Sequence, residues 1–180
     1  MLSFTNTQAA WQSCVEFHGH SCPGLAIGFK ACEAAAKQLN LQFSKDEELL
    51  CVTENDACGV DAVQVLTGCS MGKGNLIYRK RGKMAFSFFK RATGETVRIV
   101  LKQSFSRDGD RAAVQERILS ADPDELFSYT VPGFDIPETA RMFSSLACEQ
   151  CGESAAEHLI RLQEGKKLCL DCFEGYSRGW

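Results

Sequence analysis

In the stretch EFHGHSCPGLAIG, two histidines and a cysteine, His18, His20 and Cys22, stand within five residues just before a Pro-Gly pair. Imidazole nitrogens and a thiolate together suit zinc, iron, copper or nickel, and a thiol beside an imidazole is also a nucleophile with its base. Their alternation in sequence predicts an extended segment with all three side chains on one side. That segment meets a helix starting at Pro23, where partial positive charge and free N–H groups favour a thiolate at Cys22. The alternative is structural: two histidines capping a turn and a small buried thiol at a corner.

A second cysteine occupies a comparable position. In ENDACGVDAVQVLTGCSMGKGN, Cys58 follows a strand and precedes a helix, with Glu54, Asp56 and Asp61 close by in sequence. Two helix starts, each bearing a cysteine beside acidic or imidazole groups, can converge on one soft-metal or thiolate site. Cys69 follows a helix-ending glycine, and whether it joins this site is open. Cys14 and Cys32 at apolar helical positions, and Cys51 in an apolar strand, read as packing. GCSMGKGN is not a nucleotide-hydrolysing phosphate loop: its spacing is one residue short, and Gly74 replaces the Ser or Thr that would hold magnesium. It reads first as a plain glycine-rich loop, with Lys73 available for an anion as the alternative. No G-x-S-x-G nucleophile elbow is present, so a thiol enzyme would act through Cys22 or Cys58.

The tail, ACEQCGESAAEHLIRLQEGKKLCLDCFEGYSRGW, pairs Cys148-x2-Cys151 with Cys169-x2-Cys172 across seventeen intervening residues. Each Cys-x2-Cys turn aims two thiolates at one tetrahedral centre, and a hairpin, HLIRLQ turning at EGKK, returns the second pair to the first. Four protein ligands leave no open coordination position, so the implied zinc is structural. The second pair is expected to open a C-terminal helix, which makes the module similar to a treble-clef finger. His158 lies inside the span, and its membership of the site is open. Four cations, Arg161, Lys166, Lys167 and Arg178, face six acids in this segment, the wrong balance for sequence-specific DNA binding and a better one for protein contact.

Helices and a sheet must position these groups. QAAWQSCVEF reads as a helix capped by Asn6 or Thr7, with Ala10, Cys14 and Phe17 inward. GLAIGFKACEAAAKQL puts Leu25, Phe29, Cys32, Ala36 and Leu39 on one stripe and Lys30, Glu33 and Lys37 elsewhere. LLCVTE is a buried-type strand, and VDAVQVLTG a helix stopped by Gly68. LIYRK, KMAFSFFK and TVRIVLK predict an antiparallel meander turned by RGK and TGE. DRAAVQERIL is a further helix, and ADPDELFSYTVPGFDIP an irregular connection with one short helix. Without regular βαβ alternation, the fold class is α+β, helices packed on a mainly antiparallel sheet, with a core at residues 1–145 and a four-cysteine finger at 146–180.

Composition sets the context. The 180 residues are 44% hydrophobic, enough to fill a core, and the net charge of −3 gives no broad basic surface for nucleic acid. No apolar run reaches membrane-spanning length and the N-terminus lacks a secretory pattern, so ten cysteines are expected as thiols and metal ligands in the cytoplasm.

The motifs FHGHSCPGLAIGFKA and ENDACGVDAVQVLTGCSMGKGNLIYRKRGKMAFSFF resemble the core domain of the FmdE-like family, named for the E-subunit of formylmethanofuran dehydrogenase, over roughly Trp11 to Lys90. The resemblance implies an α+β core, a C-terminal treble-clef zinc finger in some members, and an intertwined homodimer. It implies association with the molybdenum or tungsten enzyme that interconverts carbon dioxide and formylmethanofuran, a one-carbon step of methanogenesis, without making this chain the catalyst. His18, His20, Cys22, Cys58 and Cys69 match the family's motif positions. Three functional readings follow. The first is a cytoplasmic, dimeric, metal-binding accessory protein with a second transition metal in the core. The second is a zinc-finger adaptor or regulator that contacts protein or nucleic acid or senses metal, and the third is a thiol enzyme.

Overall fold

The computed structural model describes residues 7–103, 105 and 110–178. The chain divides into two compact units, Met1–Ala140 and Arg141–Trp180.

In the first unit α1 (Thr7–His18) precedes α2 (Pro23–Leu39), the central helix. The expected cap Asn6 lies outside the described residues. Within α1 Cys14 is buried as expected, but Phe17 is 59% exposed. Pro23 is the first residue of α2, and eleven of its seventeen residues are buried. Lys30 is one of them, contrary to its expected place on the polar face. Its ammonium pairs with Glu33 one turn on, at 2.5 Å, which compensates the buried charge.

The sheet has the order β2-β1-β3-β4-β5, built from β1 (Leu49–Thr53), β2 (Leu76–Tyr78), β3 (Ala85–Lys90), β4 (Thr96–Leu101) and β5 (Phe127–Thr130). β3, β4 and β5 run antiparallel in sequence order, and β1 pairs antiparallel with β3. The expected hairpin between β2 and β3 is absent. β2 instead lies parallel to β1, reached through α3 (Gly59–Thr67) as the crossover, and β1 sits between β2 and β3. The burial of all five β1 residues explains this central place, since a strand covered on both faces is apolar throughout. β5 was hidden in the expected irregular connection. α4 (Arg111–Ser120) is capped by the Asp110 carboxylate, and α5 (Pro123–Leu126) by that of Asp122.

Strand alternation gives the sheet two faces. Cys51, Phe86, Phe88, Ile99 and Phe127 pack with α2 into the main core. Leu50, Val52 and Phe89 point the other way and are covered in part by Phe134. The loop from Gly68 to Asn75 closes one end. Asn75, fully buried, donates from Nδ2 to the carbonyls of Asp46 at 2.8 Å and Leu49 at 2.9 Å, and its Oδ1 accepts from Ser70 N–H at 2.9 Å. Lys73 donates to the Ser44 carbonyl at 2.8 Å, so the segment is the plain loop of the first reading, with its lysine as a clamp.

The second unit holds two short antiparallel pairs, β6 (Ser145–Ala147) with β7 (Ser154–Ala156), and β8 (Arg161–Gln163) with β9 (Lys166–Leu168). A single 3-10 turn at Glu157–Leu159 joins them. The expected hairpin between the cysteine pairs is present. No helix forms at residues 170–178, so the helical element of the expected treble clef is missing there.

Candidate metal centres and the cavity beside one of them

α1 ends on His18, and Gly19 at φ +86° reverses the chain, so the histidines do not form the extended run that alternation suggested. They meet through the turn instead. His18 and His20 stack with ring centroids 4.5 Å apart, and one ligand atom from each of His18, His20 and Cys22 falls within a 4.8 Å cluster. Cys22 caps α2, its Sγ accepting the Leu25 N–H at 3.3 Å.

Asp61, on the first turn of α3, reaches His18 with Oδ2 2.6 Å from Nδ1. An ionised carboxylate only accepts, so Nδ1 carries a proton, and in the neutral imidazole Nε2 is the nitrogen with the free lone pair. That Nε2 lies 3.9 Å from Cys22 Sγ. Gln64 Nε2 donates to the other oxygen of Asp61 at 3.1 Å and fixes the carboxylate. Sequence reasoning missed Gln64; its one signal was the three-residue spacing from Asp61, neighbours on a helix face.

Cys58 caps α3 without a side-chain cap bond and contacts Cys22. Burial, then the hydrogen bond and charge of Cys22, push its thiol up. The two helix starts are held together by glycines. A Cβ at Gly28 would lie 2.1 Å from the Gly59 carbonyl oxygen, and one at Gly24 would lie 3.2 Å from Cys58 Cβ and 3.9 Å from Cys22 Sγ. Gly24 and Gly28 are four apart and share a helix face, a signal present in the sequence.

Cys69 is elsewhere. It is fully buried in the main core, its Sγ 3.6 Å from the Leu49 carbonyl, and burial pushes it up to about 11. Cys14, Cys32 and Cys51 are likewise buried, each thiol pushed up first by burial. Glu54 does not join the cluster; it is buried against Arg98, whose Nε and Nη2 lie 2.6 and 2.9 Å from its two oxygens. A cavity of about 430 Å³ opens beside His18, Cys58 and Asp61, walled further by Asp56, Met71 and Tyr78.

In the second unit, ligand atoms of Cys148, Cys151, Cys169 and Cys172 converge within 4.8 Å. Backbone N–H groups of Cys151, Cys169 and Gln150 draw the Cys148 thiol down to about 6, while burial and hydrogen bonds with its sister thiols push Cys172 up to about 12. Four thiolates cannot coexist so closely without a cation, and a tetrahedral Zn²⁺ fits the donor set. His158 stands apart from this cluster, stacked on Phe143 at 3.9 Å.

Comparison with known proteins agrees with this division. Residues 17–128 match the family model described as FmdE, Molybdenum formylmethanofuran dehydrogenase operon. Residues 141–178 match the prokaryotic dksA/traR C4-type zinc finger. A crystal structure of a tungsten formylmethanofuran dehydrogenase FmdE-like protein from Syntrophus aciditrophicus superposes with a TM-score of 0.69 at 25% identity, covering 92% of this chain and 90% of that one. A curated relative from Archaeoglobus fulgidus, named a probable S-adenosyl-L-methionine-binding protein, is 29% identical over 89% of this chain and 51% of its own length. The chain thus spans about half of that relative.

Proposed function

This chain belongs to the FmdE family, and we propose that it is a metal-binding accessory protein whose core and finger each hold one metal ion. His18, His20 and Cys22 would be the core ligands, with Cys58 adjoining, and Cys148, Cys151, Cys169 and Cys172 would hold structural zinc. The observation that carries the core reading is the Asp61 carboxylate on His18 Nδ1, at 2.6 Å, which makes Nε2 the ligand nitrogen of the neutral imidazole, in a residue clustered with His20 and Cys22. Three protein donors leave a coordination position for a small molecule, and a metal bound there would supply a Lewis acid or a redox couple. The chain's own residues orient that position: Asp61 and Gln64 fix His18, Leu25 N–H holds Cys22, and the cavity beside Cys58 admits the ligand.

The link to one-carbon, methanogenesis-type metabolism belongs to this proposal and rests on the family. So do assembly as a homodimer and residence in the cytoplasm; no helix among the described residues is long and apolar enough to cross a membrane. Exposed Leu162 and Tyr176 give the finger an apolar surface for protein contact, the feature that favours the adaptor reading as a companion role.

Metal content by plasma mass spectrometry tests the assignment on full chain purified without chelators. About two metal ions per chain are expected, falling to about one zinc in H18A/H20A/C22S and to the core ion alone in C148S/C151S. Retention of full metal content in the first variant would remove the core site.

A further inference from the structure

Cys58 lines the cavity beside His18 and is half-buried, whereas Cys14, Cys22, Cys32, Cys51 and Cys69 are buried. Its side chain makes no cap bond at the start of α3, so it turns about χ1 without breaking a helix contact. What it meets there is a second thiol. A Cβ built at Gly24 would lie 3.6 Å from Cys58 Sγ and 3.9 Å from Cys22 Sγ, so the two sulfurs flank one point beside a residue that has no side chain. The thiols hydrogen-bond to each other and share one apolar cluster with Leu25 and Ala62.

The surroundings suit a bond between them. α2 and α3 meet backbone to backbone at Gly28 and Gly59, so the two capping residues are already neighbours, and joining them does not have to draw distant backbone together. His18 Nε2 lies 3.9 Å from Cys22 Sγ, where it can take the thiol proton. The other cysteines of the unit compete poorly. Cys32, Cys51 and Cys69 are fully buried in the main core, and Cys14 is fully buried behind Cys22 in its cluster.

The sulfur of Cys22 has a rival use. In the core cluster it is the one thiolate beside two imidazoles, and a sulfur bonded to another sulfur is no longer a thiolate ligand. Metal and disulfide therefore exclude each other at this atom. Oxidation leaves only His18 and His20 as donors of that cluster.

We propose that Cys22 and Cys58 form a reversible disulfide that competes with the core metal for Cys22, with a small disulfide of the glutathione type as oxidant. Cys58, at the cavity, attacks one sulfur of the oxidant, whose S–S bond breaks and releases one thiol carrying the Cys58 proton. Cys22 then attacks Cys58 Sγ, its proton passing through His18 Nε2 to the second thiol as that leaves. Two electrons pass from the protein's thiols to the oxidant, which ends as two thiols. The competition rests on the proposed function, whereas the disulfide does not.

Peptide mapping by mass spectrometry tests this on full chain treated with oxidised glutathione in mildly alkaline buffer, either as purified without chelators or after chelation. A cross-linked peptide joining Cys22 to Cys58 should form in the chelated chain and disappear with dithiothreitol. It should form at least about tenfold more slowly in the metal-loaded chain. The map assigns every link to its cysteines, so oxidation of the finger is read separately. Oxidant should release the core ion from the native chain and spare it in C58S, which keeps Cys22 but cannot link it. Absence of the link in the chelated chain, or a mixed disulfide that persists on Cys58, overturns the proposal. So does a link that forms equally fast with metal bound, or a core ion lost from C58S as readily as from the native chain. A native chain without core metal would instead remove the metal reading and the competition with it, and the chelated chain would still decide the disulfide.

Discussion

Replacing Gly28 by alanine should break the contact on which the core site depends. The added Cβ would sit 2.1 Å from the Gly59 carbonyl oxygen and 2.4 Å from Gly59 Cα, against an ordinary contact of 3.4 Å or more. The obstacle is the backbone of α3, which cannot rotate away as a side chain does, so the helices must part by 3.4 − 2.1 = 1.3 Å. Overpacking of this kind costs up to about 3 kcal/mol, and opening the interface forfeits dispersion contacts along both helices. Alanine returns about 1 kcal/mol in helix propensity, leaving a net loss of roughly 2–3 kcal/mol. At roughly 3–5 °C per kcal/mol for a unit of this size, scanning calorimetry should show the core transition about 6–15 °C lower. G133A is the control, since a Cβ there meets nothing within 4 Å. G24A should fall between the two, because its Cβ meets the Cys58 side chain rather than backbone. A G28A protein that melts with the native chain would refute the reasoning.

Three further outcomes follow from the same contacts. D61N should weaken metal binding at the core about 10–100-fold, by chelator competition, and leave the finger's zinc untouched; unchanged core affinity would mean that His18 is not a ligand. E54Q should cost about 3 kcal/mol near neutral pH by leaving Arg98 without its carboxylate. The Arg98 hydrogen bonds hold Glu54 below its ordinary value near 4.5, so this contribution is present above that value and lost as pH falls through the folded one. Urea denaturation of native and E54Q protein should therefore differ most at pH 6–7 and converge in acid, and a gap constant with pH would contradict this. N75A removes partners from the Asp46 and Leu49 carbonyls and the Ser70 amide at once, and should lower stability by at least about 3 kcal/mol.

Patterns that depend on near neighbours were legible in the sequence. Pro23 before an apolar stripe located α2, Gly68 ended α3, and the doubled Cys-x2-Cys spacing located the finger. What failed depended on partners far along the chain. β2 and β3 look like a hairpin across RGK, but β1, buried along its whole length, takes the place between them, which converts the turn into an exposed cationic loop. Lys30 looked like a surface residue because its burial rests on Glu33 and on the elements that surround α2. At the site, the residue types and the approach of the two helix starts were readable, while the place of Cys69 was left open. Cys69 shares a motif with Cys58, yet one caps a helix and the other fills the core. The Asn that closes that motif is a structural clamp, which the types alone do not reveal.

The placement of the glycines explains why the core cluster lies where it does. A helix start offers unsatisfied N–H groups and a favourable potential for anions, but one start has only its own capping residue to present. Crossing α2 and α3 at Gly28 and Gly59 brings two starts within contact of each other, so that Cys22 from one meets Cys58 from the other. α1 then ends beside them and adds His18, while the first turn of α3 adds the Asp61 that orients it. His18, His20 and Cys22 thus come from the turn between α1 and α2, while Cys58 and the orienting Asp61 come from α3, which that local segment could not supply. Such a site is sensitive to the angle and distance of one crossing, which is why a methyl group at Gly28, pressing on backbone rather than on a ligand, should reach both stability and metal binding.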